Sequence, residues 1–380
     1  MRKSLFLTSL AVALVATGCG GKRVDNDPGQ APAAGQQAAC EAGQGRITIA
    51  TGNTGGVYYV VGGGLAQLIS DNTGLNAHAA ETGASVQNIQ QLAGRQYDIA
   101  FSIADSAADA VAGTGPFQGQ PQKVQALARI YANYTHVVVR ADSGIRTVAD
   151  MRGKRISTGS PKSGTEVIAT RLLAAAGLNV NTDLSAQRLA LRQTVDGMKE
   201  GKIDGLIWSG GLPTPEITDL TTSLRDRVTF LDITPQLDAM RKVSAVYERE
   251  VIPASTYGTA DVPTIVAPNV LLVRDDFPAG DACAITKLIF DKQADLARVH
   301  PAMKEIARDK AVRTDPIRCI PARVRPSADA PPGSAGAARR CRISPYAGRR
   351  PVPTTRLIGR ASPGNRLRCA RARDRAVGVA

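Results

Sequence analysis

The sequence predicts an α/β protein with largely parallel sheets arranged as two lobes. Short β-branched runs alternate with longer segments of helical period from Arg46 onward, the scheme is repeated in the middle of the chain, and a late strand follows the second block. Ile47 to Ala50 reads as a strand, and Val57, Val60, Val61, Leu65, Leu68 and Ile69 recur at helical spacing behind it. Val86, Ile89 and Leu92 mark a second helix, Tyr97 to Ser102 a second clear strand, and Val124 to Tyr131 and Thr135 to Arg140 two more. The second block gives Arg155 to Thr158, a helix from Ser163 to Ala176, Leu184 to Leu191, a helix over Thr194 to Glu200, and Ile203 to Trp208. A strand at Thr264 to Arg274 and a helix at Asp281 to Val299 close the pattern, as in a clamshell whose chain crosses to the second lobe and returns late. A single doubly wound sheet is the alternative, and more than 250 residues would be large for it.

Charge points away from nucleic acid. The 380 residues carry a net +14, from 47 Lys+Arg against 33 Asp+Glu. Residues 1 to 306 contain 29 basic and 29 acidic side chains and sum to zero, whereas residues 307 to 380 contain 18 and 4. The body is therefore neutral, and the chain as a whole is 43% apolar, an ordinary globular composition. No nucleic-acid partner is expected of it.

Met1-Arg2-Lys3, the apolar run Leu5 to Ala16 and the small residues before Cys19 read as a bacterial lipoprotein export signal, residues 1–18. A run of about a dozen residues falls short of the ~20 that span a bilayer. Cleavage before Cys19 would leave it to be lipidated, placing the protein outside the cytoplasm and anchored to a membrane; a plain secretory peptide is the alternative. Residues 19–44 read as a Gly-, Ala-, Gln- and Pro-rich tether. Cys40 and Cys283 are the body's two cysteines, and with one of them on the tether the sequence leaves their pairing open.

Three strand-to-helix or strand-to-loop turns carry ligand-type chemistry. Thr51 to Tyr59 has Gly52-x-x-Gly55-Gly56 opening a helix, which lets backbone amides approach an anion; it is not the dinucleotide fingerprint. Tyr58 and Tyr59 read equally well as core. Thr158 to Glu166 has the glycine gap of a P-loop, but Thr165-Glu166 stands where the Lys-Ser/Thr pair belongs, so nucleotide hydrolysis is not expected. Lys162 in this turn reads as a solvated loop lysine or an extra ligand charge. Trp208 to Pro215 follows a strand and holds the chain's one tryptophan, a core residue or a ligand wall. Such turns converge on one crevice at the carboxyl ends of parallel strands.

Catalysis finds little support. His78, His136 and His300 are scattered, the last before Pro301 on what reads as a surface turn, and there is no Gly-x-Ser-x-Gly, HExxH or metal-ligand cluster. The protein is expected to be no enzyme and to need neither cofactor nor metal.

The motifs TGNTGGVYY (Thr51 to Tyr59), Tyr97 to Ser102 with Asp105, VVVRADS at Val137 to Ser143 with Asp150 to Arg155, Gly159 to Glu166, Gly201 to Asp204, Gly210 to Thr214 and Ile252 to Tyr257 stand in the order of a known family. Over about Arg46 to Asp315 the chain resembles the TAXI substrate-binding proteins of tripartite ATP-independent periplasmic (TRAP) transporters. The resemblance implies a type II periplasmic-binding fold, with lobe I from 45–140 plus 256–317 and lobe II from 141–255. It implies a small organic acid as ligand, such as glutamate, 2-oxoglutarate or another dicarboxylate, delivered to an integral-membrane TRAP permease. By matching position, Asn53, Thr54, Gly55, Gly56, Tyr58 and Ser85 would line the first lobe's side, and Ser160, Ser163, Gly164, Thr165, Trp208 and Gly210 the second's. A lipoprotein sensor signalling through a partner, or an α/β enzyme using the same crevice, are the alternatives.

From Arg318 to Ala380 there is no Lys, Glu, Phe or Trp, and Arg, Ala, Pro and Gly dominate. This composition predicts a disordered basic tail, which we read as a shift of reading frame near Ile317, with a genuine basic extension as the alternative.

Overall fold

The computed structural model describes residues 40–320. The export signal, Cys19 and the tether as far as residue 39 lie outside the described residues, as does the tail from residue 321.

The first block runs β1 (Gly45–Ala50), α1 (Val57–Asn72), β2 (Leu75–Ala80), α2 (Ser85–Ala93), β3 (Ile99–Ile103), α3 (Ala104–Ala112) and β4 (Val124–Arg140). The second runs β5 (Arg155–Ser157), α4 (Gly164–Ala175), β6 (Ser185–Gln187), α5 (Leu191–Lys199), β7 (Gly205–Gly210), α6 (Pro215–Leu224), β8 (Val228–Phe230), α7 (Leu237–Val243) and β9 (Glu248–Ile252). The chain returns through α8 (Ala254–Tyr257) and β10 (Val262–Arg274), then α9 (Ala279–Asp291), α10 (Gln293–Val299) and α11 (Arg308–Ala311). The strands pair in the order β2-β1-β3-β10-β4-β7-β5-β6, with β8 on β4 and β9 on β10.

Two long antiparallel strands belong to both lobes. The N-terminal part of β4 pairs with the C-terminal part of β10, Val124 opposite Arg274, next to the parallel set β1, β2 and β3. Its C-terminal part, Tyr134 to Val139, pairs with β7, which continues in parallel to β5 and β6. The passage between lobes falls inside these strands, where the pairing shifts register between Pro268 and Val270. A proline in a central strand removes one ladder donor, and a bulge is where such a residue is tolerated. β10 is otherwise buried on both faces, which suits its Val, Ile and Leu content. This is the type II periplasmic-binding fold: two α/β lobes joined by crossing strands.

The helices pack through the residues that set their period. On α1, Val57, Val61, Leu65 and Ile69 are buried against the sheet, while Tyr59 faces outward. Several readings of the sequence change. The runs Val124 to Tyr131 and Thr135 to Arg140 are one strand, because polar Asn133 and Tyr134 interrupt the apolar pattern without breaking the ladder. Leu184 to Leu191 shortens to β6, since Leu191 already opens α5. The helix expected over Asp281 to Val299 breaks at Lys292 into α9 and α10.

Cys40 and Cys283 form a disulfide with a Cα–Cα distance of 5.1 Å, tying the start of the described chain to α9. The amide of Gly43 donates to Asp281 beside it at 2.7 Å. The change of composition at Arg318 does not end the ordered fold there. Ala126 of β4 donates to the Arg318 carbonyl at 2.8 Å and accepts from Ile320 at 2.9 Å, because backbone pairing is indifferent to composition. Among the described residues, no helix is long and apolar enough to cross a membrane.

Candidate functional site

One cavity lies between the lobes, and three helix starts surround it. Gly56, Val57 and Tyr58 open α1, Ala84 and Ser85 open α2, and Ser163, Gly164 and Thr165 open α4. Each helix start carries unpaired amides and about +0.5 of partial charge, so their convergence favours an anion. The sequence arranges this because each helix follows directly on the end of a parallel strand. Buried Asn88 of α2 fixes the first turn from below: its amide donates to the carbonyls of Thr51 at 2.7 Å and Phe101 at 2.8 Å, and its Oδ1 accepts from Thr82 at 2.6 Å. Ala84 is held at φ 78°, costly for a residue with a Cβ, by its amide bond to the Thr82 hydroxyl at 3.0 Å.

A chain of polar side chains runs beneath the cavity from α1 across the crossing strands β10 and β4 to β7. Tyr58 donates to Asn269 Oδ1 at 2.5 Å, Asn269 to Asn133 Oδ1 at 3.3 Å, and Asn133 to the Ser209 hydroxyl at 2.8 Å. The amide of Ser209 in turn donates to Thr165 Oγ1 at 3.3 Å. Tyr131 also lines the cavity; it is 1% exposed and its hydroxyl has no hydrogen-bond partner among the described residues. Burial pushes the phenols of Tyr58 and Tyr131 well above their ordinary range, so both stay protonated and able to donate. Among the described residues, no Asp, Glu, Lys or Arg lines the cavity.

The lobes touch around it. Ser160 donates to Asn53 Oδ1 at 2.9 Å, and Gln87 of α2 donates to the Lys162 carbonyl at 3.0 Å. Two glycines mark the closest approach: a Cβ on Gly164 would stand 2.6 Å from both Ser85 Oγ and Ile103 Cδ1, and one on Gly55 would stand 1.9 Å from Glu216 Oε1. Between these contacts about 30 Å³ is open to the centre of a water molecule, room for about two waters.

Of the twelve residues expected at the site, Asn53, Gly56, Tyr58 and Ser85 line the cavity from lobe I, and Ser163, Gly164, Thr165, Trp208 and Gly210 from lobe II. The remaining three do not. Thr54 is exposed, its amide on Glu81 at 3.3 Å; Gly55 abuts Glu216; and Ser160 is spent on Asn53. Lys162 is exposed and meets lobe I through its backbone rather than its charge. Trp208 is half-buried as a wall, 3.5 Å from where a Cβ on Gly56 would be.

Tyr131, Asn133, Ser209, Gly83 and Ala84 were not expected there. A signal existed for the first two: Tyr131 and Asn133 are two apart in a strand, so they share one face, and they sit where the apolar run breaks. Of the three histidines only His300 departs from expectation, His78 lying in β2. His136 is fully buried inside β4, its Nε2 2.9 Å from the Tyr257 hydroxyl, and burial lowers its pKa to about 4. His300 is 5% exposed rather than on a surface turn, because Nδ1 accepts from the Ala302 amide at 3.2 Å and Nε2 meets the Pro213 carbonyl at 3.0 Å. Among the described residues no group of three His, Cys, Asp or Glu is placed to hold a metal.

The fold and the interlobe cavity define the architecture of a periplasmic solute-binding protein. A sequence profile described as the NMT1-like family matches residues 49–322, and the chain belongs to that family. Among solved structures it is similar to a protein from Bordetella bronchiseptica, at 19% identity over 77% of this chain and 87% of that one, TM-score 0.47. It is similar to the alkanesulfonate-binding protein of Xanthomonas axonopodis pv. citri, solved with MOPS, at 17% identity over 71% and 86%, TM-score 0.42. A binding component of a phosphonate ABC transporter from Pseudomonas aeruginosa aligns at 11% identity over 69% and 80%, TM-score 0.48.

Proposed function

We propose that the protein is an extracytoplasmic receptor that captures a small organic acid between its lobes and delivers it to a TRAP-type permease. The observation that carries the reading is the meeting of three helix N-termini at one cavity lined by neutral donors. A carboxylate placed there takes amide and hydroxyl hydrogen bonds and interacts with the helix dipoles without a counter-cation. Dicarboxylates, 2-oxoglutarate and glutamate are the first candidates, from the motif resemblance. That motif resemblance is also what supports a TRAP permease as the partner. Anchoring through lipid on Cys19 belongs to the same proposal.

Thermal unfolding of the full chain against a ligand panel tests the receptor reading, because a ligand at 100 Kd stabilises by about 2.7 kcal/mol. Stabilisation by small acids, with the acid recovered unchanged, is expected; turnover would instead indicate an enzyme. Uptake into vesicles holding the permease, driven by an ion gradient without ATP, tests the partner.

A further inference from the structure

We propose that the cavity selects acids bearing a neutral oxygen beside the carboxylate, 2-oxo acids above all, over the matching 2-amino acids, and that Tyr131 is the residue that reads that oxygen. The inference rests on the acid-receptor reading above and narrows it.

Tyr131 is the polar side chain left without a partner on the cavity floor. Its neighbours are committed: the Tyr58 hydroxyl to Asn269, Asn269 to Asn133, and Asn133 to Ser209. Tyr131 lines the cavity, and its hydroxyl is buried and makes no hydrogen bond among the described residues. A buried phenol without a partner is costly, and a ligand oxygen that accepts from it removes that cost.

An ammonium finds the opposite surroundings. It needs a carboxylate or several carbonyl acceptors once water is gone, and a buried unpaired charge is strongly disfavoured. Among the described residues, no carboxylate lines the cavity. Three carboxylates stand outside the lining: Asp105 accepts from Tyr247 at 2.6 Å, from Arg171 at 3.0 Å and from the Ser106 amide at 2.5 Å; Glu305 accepts from the Ala132 amide at 2.9 Å; and Glu216 lies behind the first turn against Gly55, its Oε1 3.8 Å from Arg192 and its Oε2 buried without a hydrogen-bond partner. The same three helix starts that attract a carboxylate repel a cation.

The test is calorimetric titration of the full chain at pH 7 with matched probes: 2-oxoglutarate, glutamate and glutarate, and pyruvate with alanine for the smaller size. The oxo member of each pair that binds should be at least tenfold tighter than its amino partner. Tyr131→Phe should weaken the oxo acid by about five- to tenfold and leave glutarate, which lacks the 2-oxygen, within twofold. Equal or tighter binding of the amino acid overturns the selectivity. An equal loss of glutarate and 2-oxoglutarate in Tyr131→Phe overturns the role of Tyr131. Binding of no acid, whatever its substituent, overturns the receptor reading itself, so the failures are distinct. The wild-type oxo-to-amino ratio decides the selectivity even where the variant does not fold.

Discussion

Asp105 of α3, with no exposed surface, accepts a hydrogen bond at 3.0 Å from Arg171 of α4, an ion pair that joins the two lobes away from the cavity. Arg171 reaches Asp109 with its other nitrogen at 2.5 Å, and Tyr247 donates to Asp105 at 2.6 Å, so the charges are held by several bonds. A pair this buried contributes little beyond its own desolvation when intact, but breaking it leaves a charge stranded. Arg171→Met should therefore destabilise the protein by about 3–5 kcal/mol. Thermal unfolding should show this as a fall in Tm of roughly 5–15 °C, and an unchanged Tm would mean that the pair carries no such stability.

Closure of the lobes depends on the absence of a side chain at Gly164. Its backbone starts α4 without a positive φ, so alanine fits the helix, yet the new Cβ would meet Ser85 and Ile103 of the other lobe. Overpacking of this kind costs about 1–3 kcal/mol, and here it bears on the closed form alone. Gly164→Ala should lower ligand affinity by about tenfold or more while the unfolding midpoint without ligand stays within about two degrees. Equal affinity would show that the bound form is more open than this structure.

His136 gives stability a specific acid dependence. Burial lowers its pKa in the folded chain to about 4, against an ordinary value near 6.5. Between these values the unfolded chain binds a proton and the folded chain does not, so stability falls as pH falls through this window, by about 3 kcal/mol in total. Burial raises the carboxyls of Glu216 and Glu305, and those groups act in the opposite sense, favouring the fold on acidification from above. Urea unfolding from pH 7.5 to 4.5 should therefore be compared with His136→Gln, in which the carboxylate contributions cancel. The variant should lose less stability on acidification than the wild type; parallel curves would place the acid sensitivity elsewhere.

The Cys40–Cys283 bridge closes a loop across 243 positions and fixes the start of the described chain to α9. Long loops gain most from closure in the chain-entropy account, and native bridges typically contribute about 2–5 kcal/mol. Cys40→Ser with Cys283→Ser should lower Tm under oxidising conditions, and reductant should affect the wild type but not the variant. Insensitivity of the wild type to reductant would argue against the bridge.

Much of this site could be read from residues that act locally. A glycine-rich turn between a strand and a helix announces itself, and nine of the twelve residues that the family resemblance implied, most of them in or beside such turns, border the cavity. Thr54, Gly55 and Ser160 belong to the same turns but face a carboxylate or the other lobe, which local pattern does not reveal. Asn133 was hidden because β4 was read as two strands, which left it in the gap between them, and Tyr131 because it read as the end of the first of these rather than as part of one continuous strand facing the cavity. His300 was misread because its burial depends on Pro213, 87 positions away. The disulfide was open for a similar reason: spacing alone gives no account of where α9 packs.

The central claim is that the space between the lobes binds a small organic acid. The chain's one tryptophan, Trp208, walls that space. Its fluorescence during calorimetric titration of the full chain is therefore the most direct measurement. A saturable, one-to-one change with an organic acid, and none with an uncharged sugar or an amine, is the expected result. Saturable binding of the sugar or the amine, with the acids silent, would contradict it.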